Sequence, residues 1–553
     1  MVQNILAGHG PVFNVGERVE AYSVPLWVLI LTIVRGLVPN VSIEWWAVGL
    51  GLVLTALGVA MAFLATTRIG SPHSLGVVVP LGALIVAPVD AMWDFTTSGL
   101  EDGLIFSWIA MSWWLVERHL RRRRRVVLSA MVIGLGPVIR PDMLLIALGL
   151  LVALLLANPV MVGDLANGRI RLFRAVGAFV LLPLLSGVFR VVYFGLLAPN
   201  TALAKSAFSP HLIQGSRYLK DFLLPNALWV PAIVSFIILA LRLDSWWRRG
   251  VRAEVLMISA WALGALADGG YVLWIGGDFM HARMLLPAFF CLAMLVWIDL
   301  GNRVERTFPL AILLVWALIS GGILRYTQPG IGPDGIANER SYYLAQAQAA
   351  HPVDRIDFSQ FVGYQQGVLD RRVARSLSAP HGQLIALDVL TSRDVRQMVA
   401  TRGTRRILAH SHLSERLFIP AYSIGIWGVA AGPDVYLFDQ LNLADPVGSH
   451  FSDVRYGRPG HSDIISSSWM LARFGTVSDH RFLGESGAAL VASERRVMAC
   501  QPLFGLLGYH HGSLLVGRRP AQPRARGHVD DDAVPVDTEG RLHPALSMTA
   551  PHE

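Results

Sequence analysis

Charged side chains gather in a few short stretches of an otherwise apolar chain. Asp90, Asp94, Glu101 and Asp102 lie in VDAMWDFTTSGLED, and Arg140 and Asp142 in the step RPDM. Asn200, Lys205, Arg217, Lys220 and Asp221 lie in PNTALAKSAFSPHLIQGSRYLKDF, and Asp278, His281 and Arg283 in GGDFMHAR. Glu17, Arg18 and Glu20 lie in GERVEAY near the start. Ionisable groups in or beside membrane spans are costly, so each one retained there is a functional candidate. Carboxylates can bind sugar hydroxyls and move protons. Arginine and lysine can hold a phosphate, guanidinium as a bidentate fork and ammonium as a point charge. A departing phosphate needs its charge neutralised as it leaves. One such charge alone is more simply a loop charge or an interfacial anchor. Both signs recurring in separate connections on one side of the molecule favour a shared, outward-facing cavity at the membrane edge.

The elements that must position these residues are membrane helices. The chain has 553 residues, 53% hydrophobic and only 16% charged, with a mean hydropathy of +0.49; a soluble protein of this size carries about 25% charged residues. Apolar segments fall at 22–38, 45–66, 74–92, 101–117, 126–139, 143–162, 175–197, 226–242, 254–275, 284–299 and 308–325. A run of about 18 or more such residues can cross a bilayer, so the reading is a polytopic α-helical membrane protein with about ten spans over 45–325. After Tyr326 the apolar runs stop. Residues 326–517 read as a soluble, mixed α/β domain, with helical patterns near 338–350 and 391–401 and strand-like runs at LIALDV (384–389) and DVYLFDQ (434–440). Residues 518–553, rich in Pro, Arg, Asp and Gly, read as a disordered tail.

Orientation comes from the arginines. HLRRRRR (119–125), RIRLFR (169–174), WWRRGVR (246–252) and NRVER (302–306) each lie between apolar segments, and such loops stay in the cytoplasm. Counting spans between them puts the connections near 90–101, 140–142, 198–225 and 275–284, and everything after Tyr326, on the extracytoplasmic side of the plasma membrane. By the same parity 45–66 runs inward, with Trp45 and Trp46 at the outer interface. Residues 1–44 then form an outer loop with an interfacial helix at 22–38, which Arg35 within that run favours. An outer N-terminus of this length needs a preceding span, so the expectation is that the sequence begins one helix late.

Several function classes are excluded. The net charge of +8 is almost all arginine, the only lysines being Lys205 and Lys220, so the basic balance reads as topology signal and no nucleic-acid partner is expected. Cys291 and Cys500 are too few for a disulfide framework or a cysteine-based metal site. His281 has no second histidine at i+3 or i+4, so no zinc site is expected. No cofactor is required, and a divalent metal is left open. GLGLVLTALG (49–58) has glycine spacing suited to close helix packing. No P-loop, dinucleotide fingerprint or Ser–His–Asp arrangement stands out.

At these residues the chain resembles a known family. GHGPVFNVGERVEAYSVPLW, DFTTSGLEDGL, the RPD step, LAPNTALAKSAF with YLKDF, GGDFMHARMLLP and RYGRPGHSD (455–463) are similar in order and type to the GT-C superfamily of polyprenyl-phosphate-sugar glycosyltransferases. Within it they resemble the mycobacterial enzymes that add terminal β-(1→2)-linked arabinofuranose to cell-wall arabinan. The resemblance covers nearly the whole chain up to about Arg519. It implies a GT-C-like fold, decaprenyl-phosphate-arabinose as donor, and the arabinan termini of arabinogalactan, with lipoarabinomannan as a further acceptor. It also implies a first span and a catalytic Asp pair ahead of the part that VQNILAGHGPVFN matches. These would lie upstream of Met1, so that the chain as written lacks its main catalytic acid.

Of the residues present, the resemblance and the chemistry together make Asp94 and Glu101 the catalytic candidates near the reacting centre. Lys205, Arg140 and Arg283 are the candidates for the donor phosphate. Asp278, His281, Glu17, Glu20, Asp142, Asn200 and Lys220 are the candidates for substrate binding. A β-linked donor giving a β-linked product is formal retention, for which a nucleophile or a front-face route are both open. Alternatives are a related lipid-linked mannosyl- or other glycosyltransferase, a transporter or flippase of a lipid-linked saccharide, and an inactive glycan-binding remnant. Charges concentrated at one face count against transport, which needs them at the membrane midplane.

Overall fold

The computed structural model describes residues 1–70, 77–122, 126–157, 165–300, 307–326, 330–354, 356–360, 384–387, 405–408, 417–421, 424–432, 435–451, 464–475 and 480–500. The described part is mostly helical. Among the described residues four helices are long and apolar enough to cross a membrane: Ile43–Gly70, Gly168–Phe194, Trp229–Arg248 and Arg252–Trp274. Shorter apolar helices at Pro25–Leu37, Val126–Ile139, Pro141–Leu156, Arg283–Met294 and Phe308–Gly322 accompany them. The protein is embedded in a membrane.

Side-chain size decides which helix faces pack. On Ile43–Gly70, Gly51, Thr55, Gly58, Ala62 and Ala65 are buried, while Leu52, Val53, Leu57 and Leu64 are exposed. Small residues inward and large ones outward is the pattern of helices that meet in lipid, where close backbone approach replaces hydrophobic exclusion. A Cβ on Gly58 would lie 2.9 Å from the Phe106 carbonyl carbon of helix Asp102–Arg122. Helix Leu144–Leu156 meets Arg252–Trp274 in the same way. A Cβ on Gly149 would come 2.8 Å from the Gly264 Cα, and one on Gly264 2.9 Å from the Gly149 Cα. Trp113 and Trp261, both fully buried, join the two pairs at a centroid distance of 3.7 Å. Leu165–Phe194 sits at the periphery, with Leu181, Leu184, Leu185 and Val188 exposed.

Two apolar segments differ from the helices expected of them. Segment 74–92 is not one helix. Strand β1 (Val77–Pro80) pairs antiparallel with β2 (Trp297–Leu300), and two short helices, Gly82–Val86 and Asp90–Thr96, follow. Segment 284–299 ends its helix at Met294 and runs into β2. Pro80 and Pro88 explain the first break, because proline supplies no backbone donor and clashes with the preceding turn. Segment 22–38 forms a helix of 13 residues, Pro25–Leu37, about 20 Å long and thus shorter than the hydrocarbon core.

Beyond the membrane helices the chain changes character. Helix Glu339–Ala347 follows a small hairpin of β3 (Gly330–Ile331) and β4 (Ala337–Asn338), with the Asn338 side chain accepting from the Ser341 amide as its N-cap. A sheet with strand order β6-β5-β7-β8 comprises β5 (Leu384–Leu387), β6 (Arg405–Leu408), β7 (Leu417–Ala421) and β8 (Val435–Asp439). Strands β5 and β6 are antiparallel, and β5, β7 and β8 parallel. Its residues Phe418, Tyr436 and Phe438 pack with Met470, Leu471 and Phe474 of helix Ser467–Phe474. The expected strands at LIALDV and DVYLFDQ thus correspond to β5 and β8, and the helical pattern at 338–350 to Glu339–Ala347. The pattern at 391–401, RYGRPGHSD and the tail from Arg518 lie outside the described residues.

Candidate active site

Helix ends and short connections deliver the charges of separate segments to one place. Helix Asp90–Thr96 and the turn after it end at Glu101 and Asp102, the start of the long helix Asp102–Arg122. Arg140 and Asp142 occupy the break between Gly136–Ile139 and Leu144–Leu156, where Arg140 is extended (φ −154°, ψ 134°) and Pro141 opens the next turn. Lys205 ends the short helix Asn200–Ala204. Asp278, His281 and Arg283 follow helix Arg252–Trp274 in a connection with three departures from ordinary backbone. Gly276 and Gly277 have φ of 91° and 78°, and the fully buried Ala282 has φ 62°. A non-glycine residue held there is strained by about 1–3 kcal/mol, a device concentrated at functional sites.

These side chains form one chain of ion pairs. Arg283 Nη2 donates to both Glu101 oxygens, at 2.8 and 3.1 Å. Arg140 Nη1 donates to Glu101 Oε1 at 3.4 Å, and its Nε and Nη2 donate to Asp142 at 2.8 to 3.0 Å. Arg283 also lies 3.8 Å from Asp102 and 3.8 Å from Asp278, and Lys205 Nζ lies 3.5 Å from Asp278. Glu101 and Asp102 are 1% and 0% exposed, whereas Lys205 keeps 30%, so access narrows inward from the lysine. The guanidinium of Arg140 has its donors filled by Asp142 and Glu101. That of Arg283 has not, since Nε makes no hydrogen bond. Burial works against both arginine charges, yet Asp142 for Arg140 and Glu101 for Arg283 hold their pKa values above the ordinary range.

Acid outnumbers base here. Asp102 and Asp268 are fully buried, and their carboxyl oxygens make no hydrogen bond among the described residues. Asp268 sits within helix Arg252–Trp274, within electrostatic reach of Asp142 and Arg140. Among the described residues no cluster of three or more His, Cys, Asp or Glu has the arrangement of a metal site.

A second group borders the first. Asp94 lies 3.4 Å from Arg340 of helix Glu339–Ala347. Burial, with Asp90 adding to it, raises the Asp94 carboxyl to about 6 against the pull of Arg340, His281 and Arg325. His281 Nδ1 donates to Asp221 Oδ2 at 2.5 Å, and the Tyr326 ring stacks on the imidazole at 3.6 Å.

The structure therefore brings Glu101, Arg140, Asp142, Lys205, Asp278 and Arg283 together, with Asp94 and His281 at the margin. Other expected binding residues are placed elsewhere. Glu17 is 2% exposed, pairs with Arg473 and accepts from the Tyr436 hydroxyl at 2.8 Å. Glu20 pairs with Arg190 at 2.5 Å. The buried Asn200 amide donates to the carbonyls of Asn442, Leu443 and Asp445 at 3.0 to 3.2 Å, and Ser449 donates to its oxygen at 2.7 Å. With Asn14, which bonds the Leu437 amide and carbonyl at 3.0 Å each, Glu17 and Asn200 fasten the β8 region to the membrane part. Their polar atoms are spent on that docking. Lys220 is exposed on helix Leu212–Leu223 and joins none of these networks. Sequence reading passed over Asp268, Tyr326, Arg340 and Arg473. Only Asp268 carried a signal, as an acid in an apolar helix.

Two curated relatives align with most of the chain. It is 31% identical over 524 residues to the terminal β-(1→2)-arabinofuranosyltransferase of Mycobacterium tuberculosis, covering 85% of this chain and 80% of the relative. It is 28% identical over 520 residues to the terminal β-(1→2)-arabinofuranosyltransferase of Corynebacterium glutamicum, covering 86% and 73%. No family model matches the chain, and no solved structure matches it.

Proposed function

The chain belongs to the family of terminal β-(1→2)-arabinofuranosyltransferases and is a membrane glycosyltransferase, and from that membership we propose that it transfers arabinofuranose from a polyprenyl-phosphate donor, decaprenyl-phosphate-arabinose, to the arabinan termini of the cell wall. The observation that carries the reading is the convergence of Glu101, Arg140, Asp142, Lys205, Asp278 and Arg283 from separate connections into one graded site. Lys205, which keeps 30% exposure, is the group suited to the donor phosphate, with the Arg283 charge behind it. Arg140, saturated by carboxylates, acts behind them by holding Glu101 in place. Asp94, at the margin and 30% exposed, is the carboxylate suited to sugar or acceptor hydroxyls.

The placement supports a lipid-linked donor. An apolar cavity of about 120 Å³ lies between helix Ile43–Gly70, the 80–96 stretch and the 290–296 stretch. Its wall at Trp93 and Thr96 flanks Asp94. A prenyl tail lying there would bring its phosphate to the charged site from the bilayer side.

The topology we infer is multi-pass, with about ten spans over 45–325 and the site and the domain after Tyr326 outside. Helix Asp102–Arg122 starts at the site and ends at the five arginines. Arg248 and Arg252 end two helices whose other ends, Trp229 and Trp274, lie toward the site. Arg169 and Arg174 open a helix whose other end precedes Asn200. Arginine-rich ends thus lie a helix length, about 30 Å or more, from the site, and such ends stay cytoplasmic. Transfer from synthetic polyprenyl-phosphate-arabinose to an arabinan oligosaccharide by the purified protein tests the reading; transfer only from a mannosyl donor would replace the sugar.

A further inference from the structure

Joining a sugar to a hydroxyl releases one proton, and the carboxylates that line the main site are already engaged with arginines or sealed from solvent. His281 is differently placed. Its Nδ1 donates to Asp221 Oδ2 at 2.5 Å, the imidazole being 9% and the carboxylate 15% exposed. Nε2, on the far side of the ring, has no hydrogen-bond partner among the described residues and is not among the sealed polar atoms. The ring is fixed from several directions. Tyr326 stacks on it with planes 11° apart. The His281 amide donates to the Ala337 carbonyl at 3.0 Å, and its own carbonyl accepts from the Arg283 amide at 2.7 Å across the left-handed Ala282. The Tyr326 amide donates at 2.9 Å to Asp90, which opens the helix carrying Asp94. A neutral imidazole with one nitrogen tied to a carboxylate and the other open is the arrangement of a general base, because the carboxylate fixes the tautomer and stabilises the imidazolium that forms.

We propose that His281, oriented by Asp221, takes the proton of the acceptor hydroxyl. The inference rests on the reading of the protein as a lipid-linked glycosyltransferase. In the step in which the acceptor attacks, the acceptor oxygen bonds the anomeric carbon. The bond from that carbon to its leaving oxygen breaks, and the electron pair stays with the leaving group. The hydroxyl proton moves to Nε2, and it passes to water once product departs. The charged and titratable groups around the ring are Asp221 from helix Leu212–Leu223, Asp90 and Asp94 from helix Asp90–Thr96, Tyr326, and Asp278 and Arg283 of its own loop. Asp221, held against Nδ1, faces the charge of the imidazolium that forms when the proton is taken. Burial and then Asp221 raise the Tyr326 phenol well above its usual range, so it does not compete as the base.

The test is made on the whole chain in nanodiscs, with arabinan acceptor and the lipid-linked sugar that the wild-type protein uses, found by offering both arabinosyl and mannosyl donors. H281Q and H281A are expected to lose about 10²–10⁴-fold in kcat while their unfolding temperatures stay near that of wild type. The acidic limb of the wild-type pH–rate profile should disappear, D221N should show a smaller loss, and imidazole added to H281A should restore turnover. A kcat within threefold of wild type for H281Q, or a folded H281A that imidazole does not rescue, overturns the proposal. Use of mannose alone by wild type overturns the arabinose reading and leaves the comparison of variants intact. No transfer from either donor overturns both.

Discussion

Replacing Glu101 by Gln is the sharpest perturbation of the site that leaves shape unchanged. The Glu101 side chain is 1% exposed and meets Arg283 at 2.8 Å and Arg140 at 3.4 Å. Removing one partner of a buried ion pair costs about 3–5 kcal/mol, because the other charge is left uncompensated. Here Asp142, Asp102 and Asp278 still face the two arginines, and glutamine keeps one acceptor oxygen. The loss therefore belongs at the low end, about 3 kcal/mol, or roughly 150-fold in the folding equilibrium. Tryptophan fluorescence during thermal unfolding in nanodiscs measures it. Glu17→Gln is the control, since Glu17 is equally buried and paired with Arg473 but sits in the docking network. Both variants should lose stability. Only Glu101→Gln should also lose transfer measured per folded molecule. An unfolding temperature unchanged by Glu101→Gln, or equal transfer losses in the two variants, would refute the reasoning.

Three further outcomes follow from named contacts. Asp94 has its carboxyl raised to about 6, chiefly by burial, so the folded state holds this proton more tightly than the unfolded state does. Wild type should lose stability as pH rises from about 4 to 6, by up to about 3 kcal/mol, and Asp94→Asn should unfold at a higher temperature than wild type at pH above about 7 but not at pH below about 4. Lys205→Met should raise the KM for the donor by about 10-fold or more, the worth of one hydrogen bond to a charged group. It should change stability by under about 1 kcal/mol, its pair with Asp278 being 3.5 Å long and part-exposed. Gly149→Leu should force helices Leu144–Leu156 and Arg252–Trp274 apart, since even a Cβ would lie 2.8 Å from the Gly264 Cα; loss of the folded peak on size-exclusion chromatography measures this.

Much of this was legible in residue types. The stretches with mixed charge were visible as expensive residues at span ends, and the glycines of GLGLVLTALG as a packing face, of which Gly51 and Gly58 are buried while Gly49 meets nothing. Sequence could not separate charges that meet one another from charges that dock a domain. Glu17, Glu20 and Asn200 lie, like Glu101 and Asp278, in polar stretches beside apolar segments, and only the folded chain shows that they meet Arg473, Arg190 and Asn442 instead of the main site. Hydropathy also read 74–92 as a span, because strand and helix share apolar composition; pairing of Val77–Pro80 with Trp297–Leu300 is a long-range fact. Asp221 and Tyr326 stood in view as residues without anything to mark them as the partners of His281.

The decisive experiment offers the purified protein radiolabelled decaprenyl-phosphate-arabinofuranose and decaprenyl-phosphate-mannose in parallel, with a synthetic arabinan oligosaccharide whose non-reducing end is defined. The linkage of the product is then read by NMR. The expected result is one arabinofuranose added in a β-(1→2) link to the non-reducing terminus, with no mannose transferred. Transfer of mannose, or movement of the lipid-linked sugar across the membrane without formation of a glycosidic bond, would contradict the assignment.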